Sequence, residues 1–321
     1  YVSSPVLNPA AGYWLGIEAP ATVNVNGIPF SGSQKRALTG GWNLIASPFT
    51  SGTSKNDIRI LQTGNQAVYT IEEATAAGLV QRSVYKFNNS TSAYDTTSSL
   101  AAWDGHWFFT TANDLEIRYD LPSDGFVPEK KEKNGIEVTP DNWLATISAT
   151  LNGVKDKFLG FGTNTDATNG FDVRFDMAKA PASPAPNSVQ TWFQETGWSA
   201  YTERFASNVK TPYSVDPEKS WAFRVSANTS GLIKLTWDDI LQQIPQEIRN
   251  SHKFFISGYG IVNPVNMLLI TQHEFNAAAG SVYTFVINSS PVGIDDEMMN
   301  LDFKLGQNYP NPFNPSTTIS F

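Results

Sequence analysis

Apolar and polar residues alternate with a period of two in five stretches of the chain. Leu115, Ile117 and Tyr119 alternate with Glu116 and Arg118. Trp143, Ala145, Ile147, Ala149 and Leu151 alternate with residues that include Thr146, Ser148 and Thr150. The same pattern runs through 221–225, 233–237 and 283–287. Successive side chains of a strand point to opposite faces, so each stretch predicts a strand with one buried face. Clusters of Gly, Pro, Asn and Ser separate them at spacings that suit antiparallel sandwiches rather than strand–helix–strand units. Helices are expected to be few. Thr70-Ile-Glu-Glu73 has the form of a capping box, and the alanine-rich turn after it ends at Gly78. A second short helix is expected near 238–243, stopped before Pro245, with Asp238 and Asp239 capping its start. The predicted fold class is all-β: two antiparallel β-sandwich-like bodies, one short helix in the first, and an extended C-terminal tail.

An internal repeat organises the first third. Tyr1, Leu7, Gly12, Trp14 and Pro29 align with Tyr94, Leu100, Gly105, Trp107 and Pro122. The segments Gly12-Tyr-Trp-Leu15 and Gly105-His-Trp-Phe108 read as equivalent strands. The later copy has a front half from about Lys35, with Gly41-Trp-Asn-Leu-Ile-Ala-Ser-Pro48 and the capped helix; the earlier copy has none. The chain is therefore expected to start in the middle of a unit. The alternative has 1–29 adding strands to one sheet. The predicted division is a β-rich repeat unit over 1–127 (partial copy 1–29, fuller copy 35–122), a linker over 128–135, a β-sandwich over 136–293, and a linker with a further segment over 294–321. The charged run Glu129-Lys-Lys-Glu-Lys133 reads as a solvated connector. Pro181-Ala-Ser-Pro-Ala-Pro186 reads as a stiff, exposed crossing between strands.

Composition narrows the function classes. The chain has 321 residues, no cysteine, three histidines and a net charge of −8. Without cysteine there is neither a disulfide framework nor a thiolate zinc site. His106, His252 and His273 leave little for a histidine metal cage. An acidic pI near 4.9 argues against a nucleic-acid partner, which needs a basic footprint. No apolar run reaches the roughly 18–20 residues that span a bilayer, so the chain is not expected to be membrane-spanning.

The most specific text is the tail, Asn300-Leu-Asp-Phe-Lys-Leu-Gly-Gln-Asn-Tyr-Pro-Asn-Pro-Phe-Asn-Pro-Ser-Thr-Thr-Ile-Ser-Phe321. Its prolines forbid helix and hold an extended run. Gln307, Asn308, Tyr309, Pro310, Asn311, Pro312, Phe313, Asn314 and Pro315 resemble the sorting motif that opens the C-terminal sorting domain of type IX secretion substrates. Those proteins come from Bacteroidota and Ignavibacteria-like bacteria. The resemblance covers only the opening of that domain. It implies engagement of the secretion machinery and an extracellular or outer-surface location. The rival reading of the tail is an inter-domain linker. Gly41-Trp-Asn-Leu-Ile45 and Phe161-Gly-Thr-Asn-Thr-Asp-Ala-Thr-Asn-Gly-Phe-Asp172 are similar to non-catalytic regions that recur in large secreted proteins of those bacteria, where the first segment opens a unit with a later Gly-Tyr-Trp-Leu strand. Asp95-Thr96-Thr97 fits the short O-glycosylation pattern that the same resemblance implies.

Several clusters could carry chemistry. Asn164, Asp166, Asn169 and Asp172 put four hard oxygen donors around Gly170, which suits calcium; the competing reading is an Asx-rich turn. Trp103 and His106 lie in a Trp-Asp-Gly-His-Trp run. As a strand, it would place Trp103 and Trp107 on one face and Asp104 and His106 on the other, a platform for a sugar ring or a plain core. Trp192, Trp198 and Tyr201 form a second aromatic cluster, read either as packing or as a recognition surface. No nucleophile elbow, zinc-protease helix, phosphate loop or dinucleotide fingerprint is present.

The expected function is a non-catalytic structural or interaction module of a secreted, cell-surface protein. Its partners would be copies of itself or other surface proteins, meeting through sheet edges and extending to filaments. No cofactor is expected apart from calcium. The alternative is an accessory carbohydrate-binding region of an exported polysaccharide-degrading enzyme or peptidase, with polysaccharide as partner. A hydrolase with carboxylates from distant segments is the third reading.

Overall fold

The computed structural model describes residues 7–16, 22, 24, 27–28, 32–120, 138–183 and 185–293. The connector at 128–135 and the tail from 294 onward, including the sorting motif, lie outside the described residues. Strands make up 47% and helix 7% of the chain, so the fold is all-β and sandwich-like.

The first body holds β1 (Gln34–Leu38), β2 (Gly41–Ile45), β3 (Thr53–Ser54), β4 (Ile58–Gln62), β5 (Ala67–Tyr69), α1 (Ile71–Ala76), β6 (Val80–Asn88), β7 (Ala93–Thr97), β8 (Ser99–Leu100), β9 (His106–Thr110) and β10 (Leu115–Tyr119). Two four-stranded sheets form, ordered β1-β10-β4-β5 and β2-β9-β6-β7, and β3 pairs with β8. Their facing residues make one core of Leu38, Ile45, Ile58, Ile60, Val84, Leu100, Phe108, Ile117 and Tyr119, onto which α1 lays Ile71 and Ala74. The capping box is formed: Thr70 accepts from the Glu73 amide, and the Glu73 carboxylate accepts from the Thr70 amide. Gly78 closes the helix at φ +73°. In the Gly-Trp-Asn-Leu-Ile strand, Asn43 is buried because its amide closes the preceding turn. It donates to Thr39 O at 2.7 Å and accepts from Thr39 N at 3.0 Å.

The second body holds β11 (Trp143–Leu151), β12 (Val154–Thr163), β13 (Val189–Gln194), β14 (Arg204–Phe205), β15 (Ser207–Lys210), β16 (Lys219–Ala227), β17 (Gly231–Thr236), α2 (Ile240–Gln243), α3 (Gln246–Ser251), β18 (His252–Gly258), β19 (Val265–Asn266), β20 (Gln272–Ala277) and β21 (Val282–Pro291). A five-stranded sheet, β15-β12-β11-β17-β20, faces a six-stranded one, β14-β13-β16-β21-β18-β19. All their pairings are antiparallel except β12 with β15. Between them Trp143 touches Phe161, Trp221 and Phe254 with ring centroids 5.9, 6.3 and 5.9 Å apart. Phe223 and Phe285 sit directly opposite each other on β16 and β21 and stack at 5.4 Å. Rings at such separations add to the burial of their large apolar areas. A core of this kind holds a sandwich together without disulfides.

The local expectations differ from the structure at four points. Gly12-Tyr-Trp-Leu15 is not a strand; only Ala11 bridges, to Ile45. Asp239 stands before α2 but makes no capping hydrogen bond through its side chain. α2 stops before Pro245 as expected, but a helix that was not expected, α3, follows with Pro245 at its N-cap, where a missing N–H costs nothing. The 181–186 stretch is half-buried in part, and Ser183 Oγ donates to Ser92 O of the first body at 3.3 Å.

Candidate functional site at the seam between the bodies

The two bodies meet along a seam that starts with an irregularity in β6. Its register against β9 shifts between Val80 and Val84. Such a bulge re-aims side chains, and here Gln81 is turned into the second body, where it is 1% exposed. Gln81 Nε2 donates to Asp176 O at 2.8 Å, and Gln81 Oε1 accepts from Ala178 N at 2.8 Å. One side-chain amide thus pairs with the second body's backbone as a neighbouring strand would.

Aromatic rings flank it. Tyr85 meets Phe158 edge-on at 5.6 Å and Trp42 at 5.8 Å, and Tyr94 packs on Phe87 at 5.4 Å. Burial pushes the Tyr85 hydroxyl up to about 12. At the rim Lys157 Nζ donates to Asp95 Oδ1 at 2.7 Å. Asp95 belongs to the Asp-Thr-Thr pattern, and its carboxylate is engaged in this contact.

At the other end Tyr201 docks on the turn before β2. A side chain at Gly40 would lie 2.2 Å from the Tyr201 ring, so only glycine leaves room there. Asn113 Nδ2 donates to Tyr201 Oη at 3.1 Å, and Asn113 Oδ1 accepts from Gly40 N at 2.7 Å.

Behind the seam lies a buried ion pair. Lys179 Nζ donates to Asp156 Oδ2 at 2.6 Å and Oδ1 at 2.8 Å. The side chains are 5% and 9% exposed. Asp156 also accepts from Thr191 N, Thr191 Oγ1 and Phe158 N at 2.7, 3.0 and 3.2 Å. Burial lowers the Lys179 pKa, opposed by the Asp156 charge. A cavity of about 30 Å³ lies here, lined by Tyr85, Tyr94, Asp156, Phe158, Lys179 and Ala180 among others. That volume suits a water or two. Asp176, fully buried, accepts from Val209 N at 2.9 Å and Asp172 N at 2.7 Å. Burial pushes its pKa up to about 8 despite those two donors. These polar groups hold backbone in place. Sequence reading missed Gln81, Asp156, Lys179 and Asp176, because nothing in a linear pattern says which polar residue will be covered by another body.

The residues singled out from the sequence fall elsewhere. Trp103 is 79% exposed at a turn with φ +67°, so it does not share a strand face with Trp107. His106 begins β9 and is fully buried, and neither ring nitrogen has a hydrogen-bond partner among the described residues. Burial lowers its pKa to about 4. Trp192 is 5% exposed, beneath the Arg204 guanidinium at 3.8 Å. Trp198 is half-buried and packs against Phe171 and Phe205. With Tyr201 at the seam, the three rings are engaged in three different places. Of the four oxygen donors, Asn164 accepts from Asp166 N, Asp166 pairs with Arg174, Asn169 accepts from Thr211 N and Oγ1, and Asp172 accepts from Thr168 N and Oγ1. Each serves a different contact, and that of Asn169 reaches 42 positions along the chain. Among the described residues no group of three His, Asp or Glu side chains is placed to hold a metal ion, and no helix is long and apolar enough to cross a membrane. No protein-family model matches the chain, no curated protein does, and no solved structure does.

Proposed function

We propose that the chain is a non-catalytic structural module of an exported cell-surface protein, with its two sandwiches fixed together as a stiff spacer. The observation that carries this reading is the seam, where Gln81, Tyr85, Lys157 and Tyr201 bind one body to the other. Export and the outer-surface location rest on the resemblance of 300–321 to a sorting segment, whose partner would be the secretion machinery. Self-association through sheet edges is a specific version. Among the described residues β20 pairs only with β17 in its sheet, and its six residues offer an edge for strand addition by a second copy. One observation favours the accessory carbohydrate-binding reading, namely the exposed indole of Trp103.

Calorimetry of the full chain tests the spacer. A single cooperative transition is expected, split in two by Gln81→Ala. Two independent transitions in the unaltered chain would remove the reading. Retention on insoluble polysaccharide, lost in Trp103→Ala, would replace it with the accessory one. Fractionation of a bacterium that carries the type IX machinery tests export; a chain held inside the cell would remove that part.

A further inference from the structure

The described part of the first repeat copy carries the same turn as the second. Ala10 and Trp103 are 93 positions apart and both adopt positive φ, at 61° and 67°. Non-glycine residues seldom do so. The hydrogen bonds match as well: Ala11 N donates to Asn8 O at 3.3 Å, and Asp104 N donates to Ala101 O at 3.4 Å. Gly12 and Gly105 follow the two turns, and both pack against Leu44.

Beyond the turns the copies diverge in what covers them. Leu100 and Phe108 are fully buried, whereas their counterparts Leu7 and Leu15 are 50% and 65% exposed. In the fuller copy the front half does the covering. β3 pairs with Leu100, and β2 and β6 flank β9 on either side. Trp14 meets Phe87 edge-on at 5.4 Å, yet it and Tyr13 remain 48% and 44% exposed, so the part of the face left open is apolar and aromatic.

We infer that Leu7 and Tyr13–Leu15 form a docking surface for one further front half of this repeat type, carried in line ahead of it. The occupant presents a strand of the form Gly-Trp-Asn-Leu-Ile with the β6-like strand that completes the sheet. Continuity with an existing contact supports this occupant. Ala11 already bridges Ile45 on the open edge of β2, with Gly12 N donating to Leu44 O at 3.0 Å and Ala46 N to Ala10 O at 3.1 Å. Once 13–15 extends into a strand, the sheet of one unit runs on into the next. The unit is thereby a link of a linear array. The inference stands on the repeat and does not depend on export.

The test places a copy of residues 32–93 ahead of Tyr1 in the full chain. Amide exchange at 12–15 is expected to slow at least 100-fold, and Leu15→Asp in the extended chain should abolish that gain. In the unextended chain Leu15→Asp should leave stability unchanged. A grafted segment that stays protease-labile with unchanged exchange at 12–15 would overturn the inference. So would concentration-dependent dimerisation of the unextended chain that Leu15→Asp abolishes, since a second copy would then be the occupant.

Discussion

Gln81 shows how much one residue can hold. Removing its amide strands a carbonyl and an N–H in a buried seam, and each unsatisfied buried group costs about 1–3 kcal/mol. Gln81→Ala is therefore expected to destabilise the chain by about 2–6 kcal/mol in urea denaturation. The Asp156–Lys179 pair behaves differently from a simple buried ion pair. Asp156→Ala leaves a buried ammonium and should cost about 3–5 kcal/mol. Replacing both partners with Leu and Met removes the charge but still orphans the Thr191 and Phe158 donors. The double variant should recover only part of the loss, which a double-mutant cycle measures. His106 supplies an acid limb. Its folded-state pKa of about 4 lies below the ordinary 6.5, so the fold prefers the neutral ring. The stability it contributes is complete above about pH 6.5 and is lost as pH falls through 4. Relative to His106→Leu, the parent chain should lose up to about 3 kcal/mol over that window. Asp176, raised to about 8, acts with the opposite sign, because stability linked to it is lost as pH rises toward 8. The comparison with the variant, rather than the raw pH profile, isolates His106. A variant as acid-sensitive as the parent would sink the assignment.

At the scale of elements, two short turns do more than connect strands. Asn152 and Gly153 take φ +49° and +84° between Leu151 and Val154, a two-residue hairpin whose twist matches its strands. An Asn-Gly pair favours that turn through local backbone preference alone. The turn at Gly40 rests on a distant residue. Its glycine looks like any hairpin residue, yet it is required by Tyr201, 161 positions away in the sequence. Gly40→Ala must push the ring aside and is expected to cost about 1–2 kcal/mol. Tyr201→Ala in the same chain should then add little, so the two changes are non-additive. Full additivity in urea denaturation would show that the ring does not dock there. The β6 bulge is a similar case. Apolar periodicity finds the strand but cannot find the register shift, because the shift is compensated by hydrogen bonds to the other body.

For the whole molecule, the periodic patterns at 143–151 and 221–225 were enough to predict sandwiches, because a strand with one apolar face has few other ways to bury it. The capping box at Thr70 and the glycine at 78 were equally readable, since helix ends are local. The candidate site was not. Trp192 and Trp198 read as either core or platform, since an aromatic side chain serves both and only its neighbours decide. His106 read as a polar side group and is a buried ring with no hydrogen-bond partner among the described residues. The four oxygen donors between Asn164 and Asp172 are close in sequence but turn to separate contacts: Asn164, Asn169 and Asp172 accept from three different backbone amides, and Asp166 pairs with Arg174. By itself the sequence determined the fold class, the alternating strand faces of the periodic stretches and the capping box at Thr70, all of which follow from residue spacing and local backbone preference. Only the tertiary structure decided the seam, the buried pair and the exposed face of the first repeat copy. Those depend on which surfaces are brought together over long separations, and burial, not residue type, sets what a polar or aromatic side chain does there.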